Sequence, residues 1–371
     1  MDLNLPKLFA GSVKTIYGHE DVAPYVFEYS DRYSIFDWGA MPNHIHQKGE
    51  ALTFFAEFFF KFLEDRNNWA HWSGVNYPLA LSTEKLLAQL KATGVQHHGI
   101  GRVTKNRYAV NPVKILHPKA QAIGWDYTDY QSTPLETLVP LEVVFRFGCP
   151  AGSSLPQRLA ADEKYCRELG IEDIPKTNEI FKKPIIEFST KLEQTDRYIS
   201  YSEARQLAAL TEQEFAKLKD LTELIAHRLK DLFAQVGVQL WDGKFEFAFA
   251  ASATAGERDF LLVDSIGPDE LRLTYRGISL SKENVRQLYQ GSEWEKNVKK
   301  AKELAHARGA KNWKEICIQE LGSTPEQLAE NDIERLSMIY LSLANALAEK
   351  FTGKKYFTEA WSLETLWQKW S

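Results

Sequence analysis

The chain has 371 residues, 44% hydrophobic and 26% charged, a composition typical of a globular protein with enough core for one large domain or two lobes. Its net charge of -5 provides no overall positive field, so we expect neither nucleic acid nor an anionic membrane as a partner. Three widely spaced cysteines lack zinc-binding spacing and fit a reducing compartment, and the amino terminus has no signal-peptide pattern, which together predict a cytoplasmic protein.

The first 40 residues alternate short apolar runs with turn residues, which predicts an antiparallel sheet. Gly11 lies at the entry to one of these strands, and Lys14 follows three residues later. Glycine lets the backbone approach a phosphate and lysine supplies a positive charge, so both are candidates for nucleotide binding. The spacing is not that of a Walker A loop, and a solvated strand lysine is the commoner alternative for Lys14.

Residues 30–37 connect this sheet to a helix predicted over residues 48–64. Asp37 at the end of the connection can hold a ligand hydroxyl or amine. Lys48 lies at the helix start, where a purely structural residue is more often acidic, so it is a second candidate for substrate binding. The alternatives are an Asx-type turn and a surface lysine.

Strand-like pieces follow, including residues 113–116, and a strand over residues 141–146 then runs into an irregular loop. The strand ends in Arg146, and the loop contains Gly152 and Ser153. Bidentate guanidinium groups, free amides and hydroxyls suit an anion, so the segment predicts an anion-binding loop, with a tight turn as the alternative. Lys191 and Asp196 lie in a later polar stretch whose alternative interpretation is an ordinary loop.

Helices are predicted within residues 202–236, and two strands follow. Because side chains alternate along a strand, Asp242, Lys244 and Glu246 share one face, and a hairpin would bring Glu246 to Asp264 at the end of the second strand. Paired carboxylates beside a lysine suit a magnesium-nucleotide site, although a solvated hairpin explains the same alternation. Arg272 follows closely, and the last hundred residues are mostly helical.

Taken in order, these motifs resemble the family of phosphoribosylaminoimidazole-succinocarboxamide synthase, or SAICAR synthetase. The matching positions, between about residue 8 and residue 290, are Gly11, Lys14 and Tyr17; Ser30, Asp31, Arg32, Ser34, Phe36 and Asp37; Lys48 and Gly49; Pro140, Glu142, Val144, Arg146, Gly152 and Ser153; Ser189, Thr190, Lys191 and Glu193; Asp242, Lys244, Glu246, Phe247 and Asp264; and Pro268, Asp269, Arg272, Ser281, Lys282 and Arg286.

The resemblance implies an α+β, two-lobed SAICAR synthetase-like fold with ATP in the cleft. Residues 1–117 would form a β-rich nucleotide-binding lobe, residues 118–300 a larger α/β lobe that binds substrate and metal, and residues 301–371 a helical carboxy-terminal extension.

The activity implied by the resemblance is an ATP-dependent ligation of L-aspartate to carboxyaminoimidazole ribonucleotide (CAIR) through an acyl phosphate. It yields SAICAR, ADP and phosphate in purine biosynthesis. The implied cofactors are ATP and Mg²⁺, and the implied partners are small-molecule substrates. The resemblance does not decide whether the chain forms a homo-oligomer. The implied nucleotide contacts are Gly11, Lys14 and Lys191, the magnesium ligands Glu246 and Asp264, the catalytic residues Lys244, Lys191 and Arg272, and the substrate contacts Asp37, Lys48, Arg146, Gly152, Ser153, Asp196, Lys244 and Arg272.

Three positions depart from the family pattern. Ser12 replaces a lysine, Ser265 replaces the second acid of an Asp-Glu pair, and Thr195 replaces a histidine. These changes keep two alternatives open: a diverged paralogue that ligates an amino acid to a related azole or nucleoside carboxylate, and a non-catalytic nucleotide-binding protein. The presence of both candidate metal carboxylates argues against the second alternative.

Overall fold

The computed structural model describes residues 5–122, 124–252, 256–310 and 312–370. Its strands are β1 (Lys7–Ala10), β2 (Lys14–His19), β3 (Val22–Tyr29), β4 (Gly99–Thr104), β5 (Arg107–Val110), β6 (Lys119–Ala120), β7 (Trp125–Asp126), β8 (Leu138–Cys149), β9 (Glu179–Thr190), β10 (Tyr198–Ile199), β11 (Val238–Ala251), β12 (Arg258–Val263), β13 (Leu271–Tyr275) and β14 (Ile278–Ser279).

The helices agree with the mixed α+β class expected from the sequence. They are α1 (Lys48–Glu64), α2 (Arg66–Ala70), α3 (Leu81–Thr93), α4 (Leu155–Ala161), α5 (Glu163–Leu169), α6 (Tyr201–Leu207), α7 (Glu212–Ala234), α8 (Glu283–Tyr289), α9 (Glu293–Arg308), α10 (Trp313–Glu315), α11 (Glu330–Thr352) and α12 (Leu363–Trp370). A 3₁₀ turn covers Thr128–Ser132 and a π-helical turn covers Ile316–Glu320.

The chain divides into two compact units. The first comprises residues 1–54, 102–109 and 274–371, and the second comprises residues 55–101 and 110–273. The carboxy-terminal residues are helical, as predicted, and they lie in the same unit as the amino-terminal strands. Aromatic contacts explain this: the Trp38 ring lies 5.4 Å from Trp294 and 5.9 Å from Trp313. The lobe boundaries at residues 117 and 300 stay a prediction.

The predicted amino-terminal antiparallel sheet is confirmed. Its strand order is β1-β2-β3-β5-β4, and the Gly11 amide donates to the Lys14 carbonyl at 2.8 Å in the turn between β1 and β2. The strand predicted over residues 113–116 is wrong, because only Lys114 forms an isolated bridge. Pro112 and Pro118 flank this segment, and proline cannot donate to a strand ladder, so the pairing does not extend.

The second sheet has the order β10-β9-β8-β11-β13-β14, and β12 also pairs with β11. One face of its central strands is aromatic: the rings of Phe145 and Phe245 stack at 4.9 Å. Phe188 on the same face lies 4.9 Å from Phe215 of α7, whose first turn has the predicted capping box of Thr211 and Glu214. The apolar packing of this face leaves the opposite face of the central strands for polar side chains.

In the part of the chain that the structure describes, no helix is both long and apolar enough to cross a bilayer.

Gly49, at the second position of α1, lies against the main chain of Tyr29. A methyl group there would come within 2.4 Å of the Tyr29 carbonyl oxygen, so Gly49→Ala should lower the free energy of unfolding by about 1–3 kcal/mol. The control is Gly101→Ala, since no described atom lies within 4 Å of the added carbon. Urea denaturation measures both variants, and equal losses would contradict this account of Gly49.

Candidate active site

A cluster of carboxylates and lysines occupies one end of the polar face of the second sheet. We call it the carboxylate–lysine cluster: Glu142, Lys191, Lys244, Glu246 and Asp264. Glu142 on β8 lies directly opposite Glu246 on β11, and Lys191 follows the last residue of β9. Glu246 also pairs with Val263 of β12, so Asp264 leaves that strand beside it. The predicted hairpin is confirmed.

Both lysines contact the same carboxylate. Lys191 Nζ lies 2.6 Å from Glu246 Oε1 and 3.2 Å from Glu142 Oε1, and Lys244 Nζ also contacts Glu142 Oε1. Glu142 therefore contacts two ammonium groups, although we did not predict it as a site residue. The sequence could have indicated Glu142 as a site residue, because it lies four residues before Arg146 on one strand and shares a face with it.

The pKa values of the two glutamates shift in opposite directions. Burial and the nearby Asp264 carboxylate raise the pKa of Glu246 above its usual range, despite Lys191. Burial also raises the pKa of Glu142, but Lys244 and Lys191 outweigh it and hold the net pKa below its usual range. Burial lowers the pKa of Lys191, yet Glu246 and Glu142 raise it overall, so the lysine stays cationic.

The carboxyl groups of Glu246 and Asp264 interact electrostatically, as the raised pKa of Glu246 records. The imidazole of the buried His98 contacts the Asp264 carbonyl oxygen at 3.1 Å, which helps hold the end of β12. Within the described ranges, no three His, Cys, Asp or Glu side chains form a metal-binding group. The carboxylates of Glu246 and Asp264 are the kind of donor that Mg²⁺ takes, one or two at a time, together with substrate phosphates.

A second group of polar side chains lies farther along the sheet, four residues from Glu142 on β8 and four residues from Glu246 on β11. We call it the arginine cluster: Arg146, Arg158, Arg272, Glu187, Asp242 and Tyr198. Arg146 Nη1 donates to Asp242 at 2.9 Å, Nη2 donates to the Tyr198 hydroxyl at 2.8 Å, and Nε donates to Glu187. Arg272 Nε lies 3.5 Å from the other Asp242 oxygen. Arg146 is thus buried and held by protein acceptors.

The predicted anion-binding loop adjoins this cluster. Gly152 has a φ of 75°, and the Ser153 hydroxyl accepts from the Leu155 amide at 3.3 Å. Burial raises the pKa of Cys149, while Ser153 and the guanidinium groups of Arg146 and Arg272 oppose that rise. The structure therefore brings Arg146, Ser153 and Arg272 near Cys149, and their role as substrate contacts stays a prediction.

Two donor atoms of the arginine cluster have no acceptor among the described residues. Arg158 Nε and Arg272 Nη1 are buried and lack a hydrogen-bond partner within the described residues. A buried N–H group without an acceptor costs free energy, so these two atoms are candidate donors to a bound anion.

Other predicted site residues lie in the first unit. The Lys14 ammonium lies 4.3 Å from the centre of the Phe27 ring, and Gly11 forms the preceding turn. Asp37, at a φ of 62°, is exposed and lies 2.7 Å from Lys302 Nζ. Lys48 is 1% exposed and faces the Tyr340 ring, so it is not a surface lysine. These residues' roles in ligand binding stay predictions.

Asp196, the last of the predicted substrate contacts, belongs to the second unit and is exposed. Its role in substrate binding also stays a prediction.

Comparison with known proteins decides the family. The SAICAR synthetase family model matches residues 7–301. A putative phosphoribosylaminoimidazole-succinocarboxamide synthase of Archaeoglobus fulgidus is 31% identical over 332 residues, which are 89% of this chain and 88% of the relative. The chain belongs to the SAICAR synthetase family. Membership makes it a ligase of that family.

Solved structures show the SAICAR synthetase fold. The SAICAR synthase of Saccharomyces cerevisiae complexed with SAICAR matches with a TM-score of 0.57 and 21% identity, over 96% of this chain and 97% of that chain. A type-2 SAICAR synthetase in complex with ADP matches with a TM-score of 0.51 and 21% identity, over 86% and 99%. At these identities the likeness concerns the fold, which agrees with the fold expected from the sequence.

Neutralising the two facing glutamates should change stability in opposite directions. Because the folded state raises the pKa of Glu246, this residue contributes its full stability at pH values below the ordinary glutamate pKa. The contribution is lost as the pH rises through the pKa of Glu246 in the folded state. Glutamine mimics the protonated form, so Glu246→Gln should raise the Tm at neutral pH without Mg²⁺. The gain should shrink in mildly acidic buffer.

Glu142 has the opposite sign. Its lowered pKa contributes stability above the ordinary glutamate pKa, and that stability is lost as pH falls. Glu142→Gln should therefore lower the Tm at neutral pH. Calorimetry of both variants across pH measures the two effects, and shifts of the same sign would show that the charges are not arranged as described.

Proposed function

We propose that the chain is an ATP-dependent carboxylate–amine ligase that joins L-aspartate to CAIR and yields SAICAR, ADP and phosphate in purine biosynthesis. The observation that carries this proposal is the carboxylate–lysine cluster of a SAICAR synthetase family member, in which Lys191 contacts Glu246 and both lysines contact Glu142. One structural relative is a SAICAR synthetase in complex with ADP, which supports ATP as the nucleotide. A cytoplasmic location goes with this pathway.

The spacing of the two clusters suits a phosphorylated substrate with a distant carboxylate. Arg146 and Glu142 are four residues apart on β8, and so are Asp242 and Glu246 on β11. Four residues of extended chain span about 13 Å. A ribonucleotide can place its phosphate near the arginine cluster and direct its azole carboxylate along the strands toward Lys244.

The reaction requires two transfers. The substrate carboxylate attacks the terminal phosphorus of ATP, which releases ADP and forms an acyl phosphate. The amine of aspartate then attacks the acyl carbon, phosphate leaves with its bonding electrons, and the amine loses a proton. A carboxylate is a poor acyl donor until it is phosphorylated, which explains the need for ATP.

The lysines act as fixed positive charges. The carboxylates around Lys191 and Lys244 outweigh the effect of burial and raise the pKa of both, so neither lysine is suited to accept the proton of the amine. We assign them to neutralising phosphate and carboxylate charge during transfer. Lys244 lies nearest the reacting carboxylate in this assignment, and Lys191 faces the nucleotide.

Glu246 and Asp264 are assigned to hold Mg²⁺. Their mutual repulsion, recorded in the raised pKa of Glu246, is what a divalent cation would relieve. When bound, Mg²⁺ supplies positive charge to the phosphate oxygens. Arg272 contacts Asp242 and is assigned to the substrate together with Arg146 and Ser153.

A diverged ligase with another azole or nucleoside carboxylate is the second candidate. Ser12, Thr195 and Ser265 favour it, because these positions depart from the family pattern while Lys191, Glu246 and Asp264 are retained. Ser265 follows the proposed magnesium ligand Asp264 directly, and it is partly buried, so a changed charge there would alter the site.

The ligase assignment is tested by ADP release with CAIR and aspartate together, compared with either alone and with a panel of other carboxylates and amines. Glu246→Gln and Asp264→Asn should each lower turnover by about 100-fold or more, since each removes a charge at nearly constant shape. The exposed Asp173→Asn is the control. Wild-type turnover in either cluster variant would exclude the magnesium assignment.

Ser12→Lys combined with Ser265→Glu tests the two candidates against each other. In an ordinary SAICAR synthetase the double variant should keep or improve kcat/KM for aspartate. In a specialised paralogue the new glutamate should disfavour the true substrate by roughly a few kcal/mol through repulsion or lost space. Measuring kcat/KM for aspartate and for the best alternative amine decides, and an unchanged ratio would count against the paralogue.

A further inference from the structure

Glu187 is the most deeply buried acid of the arginine cluster, and nothing in the proposed reaction uses it. Its side chain on β9 is 0% exposed. It accepts from Arg146 Nε, from Arg158 Nη2 at 2.5 Å and from the Tyr165 hydroxyl at 2.6 Å. Burial raises its pKa, but Arg146 and Arg158 outweigh that effect and hold the pKa below its usual range, so Glu187 is ionised.

The two arginines that Glu187 contacts lie on either side of the predicted anion-binding loop. Arg146 is near the end of β8, which finishes at Cys149, and Arg158 lies in α4, which begins at Leu155. Glu187 thus contacts both elements that flank Gly152 and Ser153. Arg158 also donates to the Ser154 hydroxyl at 2.6 Å and lies over the Tyr198 ring at 3.6 Å, which limits its freedom further.

The guanidinium of Arg146 has little freedom of its own. Its three nitrogens donate to three different acceptors, Glu187, Asp242 and Tyr198. The cluster as a whole has three guanidinium groups against two carboxylates, an excess of one positive charge. This excess favours an anion, which would meet donors whose directions are already set.

We propose that Glu187 is a positioning residue that connects Arg146 and Arg158 across the Pro150–Ser154 loop and thereby orients that loop for the phosphate of the substrate. The proposal rests on the proposed function, because it assigns the phosphate end of the ribonucleotide to the arginine cluster. Glu187 acts through the arginines and touches neither reacting group.

The decisive variant is Glu187→Asp, which keeps the charge and shortens the side chain by one methylene group, so that one carboxylate no longer reaches both arginines. Glu214→Asp is the matched control, because Glu214 is also a buried acid paired with an arginine, Arg258, at 2.8 Å. Both variants should lower the Tm. Only Glu187→Asp should weaken binding of inorganic phosphate, by about tenfold, the scale of losing an orienting partner.

Titration calorimetry with inorganic phosphate measures this directly and needs no ligase activity. Steady-state kinetics adds a second readout: Glu187→Asp should raise KM for CAIR about tenfold while KM for ATP stays unchanged. The dephosphorylated nucleoside analogue of CAIR should react equally well with wild type and Glu187→Asp. A purely structural role would lower activity with both substrates alike.

Three results would overturn the proposal: an unchanged phosphate affinity in folded Glu187→Asp, an equal loss in Glu214→Asp, or no saturable phosphate binding to the wild-type chain. Failure of the proposed function would be distinct from these. In that case CAIR and aspartate would give no ADP release, while the phosphate titrations would still separate the Glu187 and Glu214 variants.

Discussion

The polar face of the second sheet depends on mutual neutralisation of buried charges. Glu142, Glu187 and Glu246 lie on three neighbouring strands, and each is buried beside a lysine or an arginine. Removing the acid at Glu142 or Glu187 leaves a desolvated positive charge, which is far more costly than the pair itself. The opposite face of the same strands is apolar, with Phe145 stacked on Phe245 and Phe188 against Phe215 of α7.

Compensation is incomplete at one place, and that place is the proposed metal site. Glu246 has a raised pKa because of its burial and the nearby Asp264, although Lys191 contacts it at 2.6 Å. The chain thus holds a repulsion that a bound cation would remove. Glu142, across the strand pair, has the opposite shift, since two lysines serve it. At Glu246 the charge that the proposed Mg²⁺ site needs lowers the stability of the metal-free fold, whereas at Glu142 the charge stabilises the fold.

Strand alternation explains why the two clusters are ordered along the sheet. Asp242, Lys244 and Glu246 point to the same side of β11, and Glu142 and Arg146 point to the same side of β8. Antiparallel pairing then sets Arg146 opposite Asp242 and Glu142 opposite Glu246. The arginine cluster and the carboxylate–lysine cluster are separated by two side-chain steps on each strand, and a substrate with charge at both ends matches this order.

The sequence by itself determined the local elements and the motif order: the capping box at Thr211, the helix from Lys48 to Glu64 and the hairpin that ends at Asp264 were all predicted from short-range patterns. Such patterns depend on neighbours within one turn or one strand. The strand over residues 113–116 failed, because ladder pairing depends on partners far along the chain and two prolines limit it. Only the tertiary structure decided that Glu142 serves both lysines, that Lys48 is buried and that Glu187 links β8 to α4. These facts require strands distant in sequence to pair in one register, and burial then turns ordinary charges into strongly coupled ones.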